Sequence, residues 1–103
     1  MDEALMDECA GWIAAQLEEE GHFLDPGLVY AILEHEWGHP ALGRLPHDRM
    51  ATELEASLAA AGVTGYPQPL SAGLIGLVLS WEDDFLSFAG LSRNPAARSQ
   101  DHG

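Results

Sequence analysis

Glycine and proline divide this chain into four apolar segments, and each segment repeats its apolar residues at helical spacing. Gly21, Gly38 with Pro40, Gly62 and Gly90 stand where those patterns stop. Glycine closes helices and proline cannot continue one, so the punctuation predicts four helices joined by short loops. A short buried strand competes for the last apolar run, but helical steps continue through Phe85, Leu86 and Phe88 and favour a helix.

The first segment places Leu5, Met6, Cys9, Trp12, Ile13 and Leu17 three and four residues apart, one broad apolar face. Asp2, Glu3, Asp7 and Glu8 suit its positive N-terminal pole, whereas Glu18, Glu19 and Glu20 crowd its negative C-terminal pole. In the second, Asp25 is a helix cap and Pro26 fits the first helical position. Leu28, Val29, Ile32, Leu33 and Trp37 form the apolar face. "HPALGRLPHD" is a connector. A third helix follows, with a narrower stripe at Met50, Leu54 and Leu58, and "VTGYPQP" is a loop. The last helix is nearly continuously apolar from Leu74 to Leu79, which predicts burial on most sides. Residues 1–92 read as one domain and 93–103 as a flexible polar tail.

The halves resemble one another. "GLVYAILEHEW" from Gly27 aligns with "GLIGLVLSWED" from Gly73, and "IAAQLEEEG" from Ile13 with "LEASLAAAG" from Leu54. One helical hairpin cannot bury both of its apolar faces, but two packed together can. The expected fold is therefore all-α: four main helices as two related αα-hairpins in one compact domain.

Charge narrows the function. Seventeen acids face four bases, all arginine, for a formal net charge of −13. Such a surface repels nucleic-acid phosphates and anionic membranes and suits cations or basic protein partners. With no lysine, Schiff-base chemistry is absent. No phosphate-binding glycine loop, nucleophile elbow, calcium loop or cysteine cluster occurs. Cys9 is the only cysteine, so no internal disulfide forms, and its place on an apolar face predicts a buried thiol. No cleavable leader opens the chain and the longest apolar run, Leu70 to Trp81, is too short for a bilayer. The expected location is cytoplasmic.

One short motif carries catalytic chemistry. "HEWGH", residues 35–39, fits H-E-x-x-H, in which histidines one helical turn apart hold zinc and the glutamate activates a metal-bound water. In these five residues the chain resembles the zincin metalloproteases. The resemblance implies His35 and His39 as zinc ligands and Glu36 as catalytic base; a third ligand is still required, and His47 is the nearest candidate. The chemistry requires a helix running through His39. Gly38 weakens that helix, and Pro40 pushes His39 away from helical geometry. The longer metzincin pattern would need Gly and His where Leu42 and Leu45 stand. In the repeat, the motif maps onto "WEDDF", which keeps the glutamate and loses both histidines.

The sequence therefore points first to a non-catalytic, acidic helical protein–protein interaction module without cofactor. It is expected to self-associate and to favour a basic partner, with no direct binding of nucleic acid or membrane. Trp37, Phe85 and Phe88, with the acidic run Glu82, Asp83 and Asp84, are the candidate contact residues. A homodimer would be built on the last helix, where Gly73 and Gly76 permit close approach. The zinc hydrolase is the second reading. A mimic of DNA, whose ordered carboxylates occupy a basic groove, is the third.

Overall fold

The computed structural model describes residues 2–63 and 69–91. The expected tail and most of the "VTGYPQP" loop lie outside them. Four α-helices follow in order: α1 (Glu3–Glu19), α2 (Pro26–Trp37), α3 (His47–Ala60) and α4 (Ala72–Phe88). A 3-10 turn, Pro40–Arg44, lies within the stretch read as a connector.

Helix starts follow side-chain chemistry. The first backbone N–H groups of a helix lack intrahelical partners. Asp2 accepts from Leu5 N at 2.7 Å, Asp25 from Gly27 N at 3.0 Å and Ser71 from Leu74 N at 3.2 Å. Pro26 occupies the first turn of α2 as expected. Across the second hairpin, Glu55 Oε2 of α3 accepts from Ala72 N at 2.9 Å, so α3 helps to cap α4.

Three helices stop by one device. Beyond α1, α3 and α4, Gly21, Gly62 and Gly90 adopt φ of +88°, +78° and +71°, where a Cβ is strained. The residue after each glycine turns back to the third residue from the helix end. His22 N donates to Leu17 O (2.8 Å), Val63 N to Leu58 O (2.9 Å) and Leu91 N to Leu86 O (2.8 Å). These are Schellman closures, and those at Gly21 and Gly62 fall at matched positions of the repeat.

The helices pair as α1 with α2 and α3 with α4, and the two hairpins meet through α1–α4 and α2–α3 contacts. The core draws Cys9, Ile13 and Leu17 from α1, Val29, Ile32 and Leu33 from α2, Met50, Leu54 and Leu58 from α3, and Leu74, Ile75, Val78 and Leu79 from α4. Cys9 is a buried thiol, as its place on the helix implied. No helix among the described residues is long and apolar enough to cross a membrane.

Within the apolar run of α4, Leu74, Ile75, Val78 and Leu79 are buried and Gly76 and Leu77 half-buried, but the helix as a whole keeps an outer face. Gly73, Ser80, Asp83, Asp84, Ser87 and Phe88 are exposed, and Leu77 is half-buried. A helix packed on two neighbours in a four-helix domain keeps an outer face. The apolar run is divided between the core and that margin.

Two substitutions test this architecture by urea denaturation. Leu54→Ala leaves a cavity where α3 meets the core and should cost about 2–5 kcal/mol. Gly62→Ala meets open space but an unfavourable φ, and should cost about 1 kcal/mol.

Candidate interaction surface

The HEWGH segment does not continue as one helix. α2 ends at Trp37, and Gly38 N donates to Glu34 O at 2.9 Å as the last helical bond. Gly38 has an ordinary helical φ of −76°; close approach, not handedness, favours glycine here. A Cβ there would lie 3.1 Å from the Glu34 carbonyl oxygen. His39 then leaves the helix with φ −129° and ψ 81°, as the following proline demands.

His35 and His39 are still neighbours. Their rings are stacked at 20° with centroids 6.4 Å apart, and His39 Nδ1 donates to the His35 carbonyl at 2.8 Å. His35 Nδ1 is in hydrogen-bond contact with Ser57 Oγ of α3 at 3.3 Å. His47, the third residue considered for zinc, instead pairs through Nε2 with Asp83 Oδ2 of α4 at 2.7 Å. Among the described residues no group of three or more His, Cys, Asp or Glu is arranged to hold a metal ion.

Glu36 and Glu82 occupy matched positions of the repeat and are both interior, 2% and 0% exposed. The sequence reading took them as a catalytic base and a surface acid. Glu82 therefore does not belong to the outer acidic run, which is left to the exposed Asp83 and Asp84. The signal was present in the helical spacing. Glu36 follows Leu33 by three residues and Ile32 by four, and Glu82 follows Leu79 and Val78 in the same way. Trp37, half-buried, donates its indole N–H to Glu82 Oε2 at 2.7 Å, joining the end of α2 to the second hairpin. Its polar edge is thus engaged inside the protein.

Phe23 is exposed after α1, but the exposed ring that belongs to an aromatic cluster is Phe88, on the seam of α1 and α4. Trp12 of α1 meets Trp81 edge-on at 5.6 Å and 81°, Phe85 at 6.0 Å and 48°, and Phe88 edge-on at 5.9 Å and 89°. Trp81 also donates to Glu20 Oε1 at 2.8 Å, at the end of α1. Because Trp81 reaches residue 20 while Phe88 reaches residue 12, the two helices run antiparallel here. Phe88 is 78% exposed, Phe85, Trp81 and Trp12 are half-buried, and Leu91 is exposed beyond them. Trp12 and Trp81 pack against the core as well as against one another, so the cluster joins core-packed rings to the exposed Phe88.

Among the described residues, acids accompany the rings of this ridge. Glu8 precedes Trp12 by one helical turn and Asp84 precedes Phe88 by one turn, and both are exposed. The C-terminal pole of α1 lies at the Trp81 end and that of α4 at the Phe88 end. Neither helix has a basic residue in its last turn to offset the negative pole.

A second acidic concavity lies on the other side of α1, lined by Asp2, Glu3, Asp7, Tyr30 and Glu34. Desolvation raises the Tyr30 phenol above its usual value of 10.0, and the charges of Glu3, Glu34 and Asp7 raise it further.

Comparison with protein-family models, curated proteins and solved structures returned no match.

Two predictions follow from these contacts. Trp37→Phe keeps a ring but removes the donor to a buried carboxyl, and should cost about 1–3 kcal/mol in urea denaturation. In Trp37→Phe/Glu82→Leu an apolar side chain replaces that acceptor, and part of the loss should return. For Tyr30, spectrophotometric titration against Tyr30→Phe should show the phenol ionising above pH 10, and Glu3→Gln/Glu34→Gln should move it down. Because the folded value is raised, the associated stability is intact below pH 10 and falls as pH rises past it.

Proposed function

We propose that the protein is a small non-catalytic helical module that binds a basic protein through the aromatic ridge of α1 and α4. The observation that carries this reading is the ridge itself: four clustered aromatic rings, one largely open to water, set between two negative helix ends. Exposed aromatic clusters are costly to keep in water, and aromatic side chains are the usual anchors of protein interfaces.

Charge selects the class of partner. A second copy would bring another chain of net charge −13. A cationic partner meets the ridge with attraction, both at long range and in contact. For the zinc hydrolase, the end of α2 at Trp37 takes away the helical register in which His35 and His39 would share a face. The acids of Glu36 and Glu82 are interior, which shortens the carboxylate rows that a mimic of DNA would present.

The test is photo-cross-linking. A benzophenone side chain replaces Phe88 in one variant and Thr52, an exposed residue of α3, in another, in cells that produce the protein. The reading expects a covalent adduct with a basic protein from position 88 and none from position 52. Equal labelling from both positions, or adducts only with a second copy of this chain, would overturn it.

A further inference from the structure

We infer that the partner's anchoring residue on this ridge is arginine, its guanidinium stacked on the open face of Phe88 and its N–H groups directed to the flanking carboxylates. The inference rests on the interaction reading above and names the chemistry of its contact.

Phe88 stands nearly perpendicular to Trp12, at 89°, and most of its surface is open to water. Its ring is thus held by Trp12 while keeping a face for a ligand. A planar cation can lie on such a face, attracted by the negative π-surface.

Position of charge comes next. Glu8 of α1 and Asp84 of α4 each lie one helical turn before a ring of the ridge. One-turn spacing on a helix puts each carboxylate on the same face as its ring. Guanidinium suits this arrangement because its apolar faces stack while its edge donates several hydrogen bonds in one plane. Ammonium is a compact, strongly hydrated charge that gains little from stacking, so lysine would use the carboxylates alone.

The length of the ridge adds a second contact. Trp81 and Phe88 are seven residues apart on α4, a rise of about 10.5 Å. The negative poles of α1 and α4 lie at those two ends. A helical partner laid along the ridge would reach both with arginines seven residues apart on one face.

The experiment uses the full chain and three alanine-based helical peptides. They carry arginine, lysine or glutamine at two positions seven residues apart, and binding is followed by tryptophan fluorescence at 0.15 M salt. The arginine peptide should bind about fivefold or more tightly than the lysine peptide, and the glutamine peptide least. Phe88→Ala, at an exposed position that leaves the core intact, should lower arginine-peptide affinity toward that of the lysine peptide and so erase the arginine preference. Equal affinity for arginine and lysine peptides, or a preference that survives Phe88→Ala, would overturn the arginine contact while leaving a basic partner in place. If neither cationic peptide exceeds the glutamine peptide, the arginine contact and the basic-partner reading fall together.

Discussion

The two hairpins meet through α1–α4 and α2–α3 packing, and the hydrogen bond from the Trp37 indole to Glu82 adds a directional constraint between them. It runs from the last residue of α2 to a fully buried carboxyl on α4, at 2.7 Å. A buried acceptor must be matched in direction as well as distance, so this contact constrains α2 and α4 more tightly than apolar packing alone. It also fixes what lies after Trp37. With the indole held inside, the chain leaves through Gly38 and His39 into the 3-10 turn and then into α3. The two halves of the repeat diverge here. α4 continues past the position matching Trp37, through Phe85 to Phe88, and that extension builds the aromatic ridge.

The end of α2 at Trp37 also bears on the HEWGH motif. A metalloprotease signature is a statement about helical faces: two histidines on one side, one turn apart. In this chain the helix ends between them. Glu36 turns inward with Ile32 and Leu33, while His35 contacts Ser57 and His39 bonds back to the His35 carbonyl. The five letters match, but their geometry is that of a helix end packed against a second hairpin.

Acidity is distributed with similar dependence on the fold. Seventeen acids suggest a uniformly negative surface, yet two glutamates are interior, and Glu55 caps α4. The remaining charge is concentrated by helix ends that carry no basic residue in their last turns. Antiparallel packing of α1 and α4 then puts one negative pole at each end of a short aromatic surface. Neither the rings nor the acids alone would distinguish that surface; the proposed arginine contact rests on their combination.

Helix number, order and limits were legible in the sequence, because they follow from local chemistry. Asp25 with Pro26 begins α2, Gly21, Gly62 and Gly90 end their helices at positive φ, and three-and-four spacing marks the core face. The hairpin pairing was legible too, since each pair had apolar area that only a second pair could cover. Burial of Glu36 and Glu82 was written in the same spacing but masked by residue type, because carboxyls are normally solvated. The ridge was legible only in part. Phe85 and Phe88 stand out on α4, but their meeting with Trp12 depends on the antiparallel register of helices some seventy residues apart in sequence. Local patterns determine which residues face inward along one helix. Which aromatic edges meet, and which carboxyl receives an indole proton, are decided by the packing of one helix against another, because those contacts exist only once both surfaces are in place.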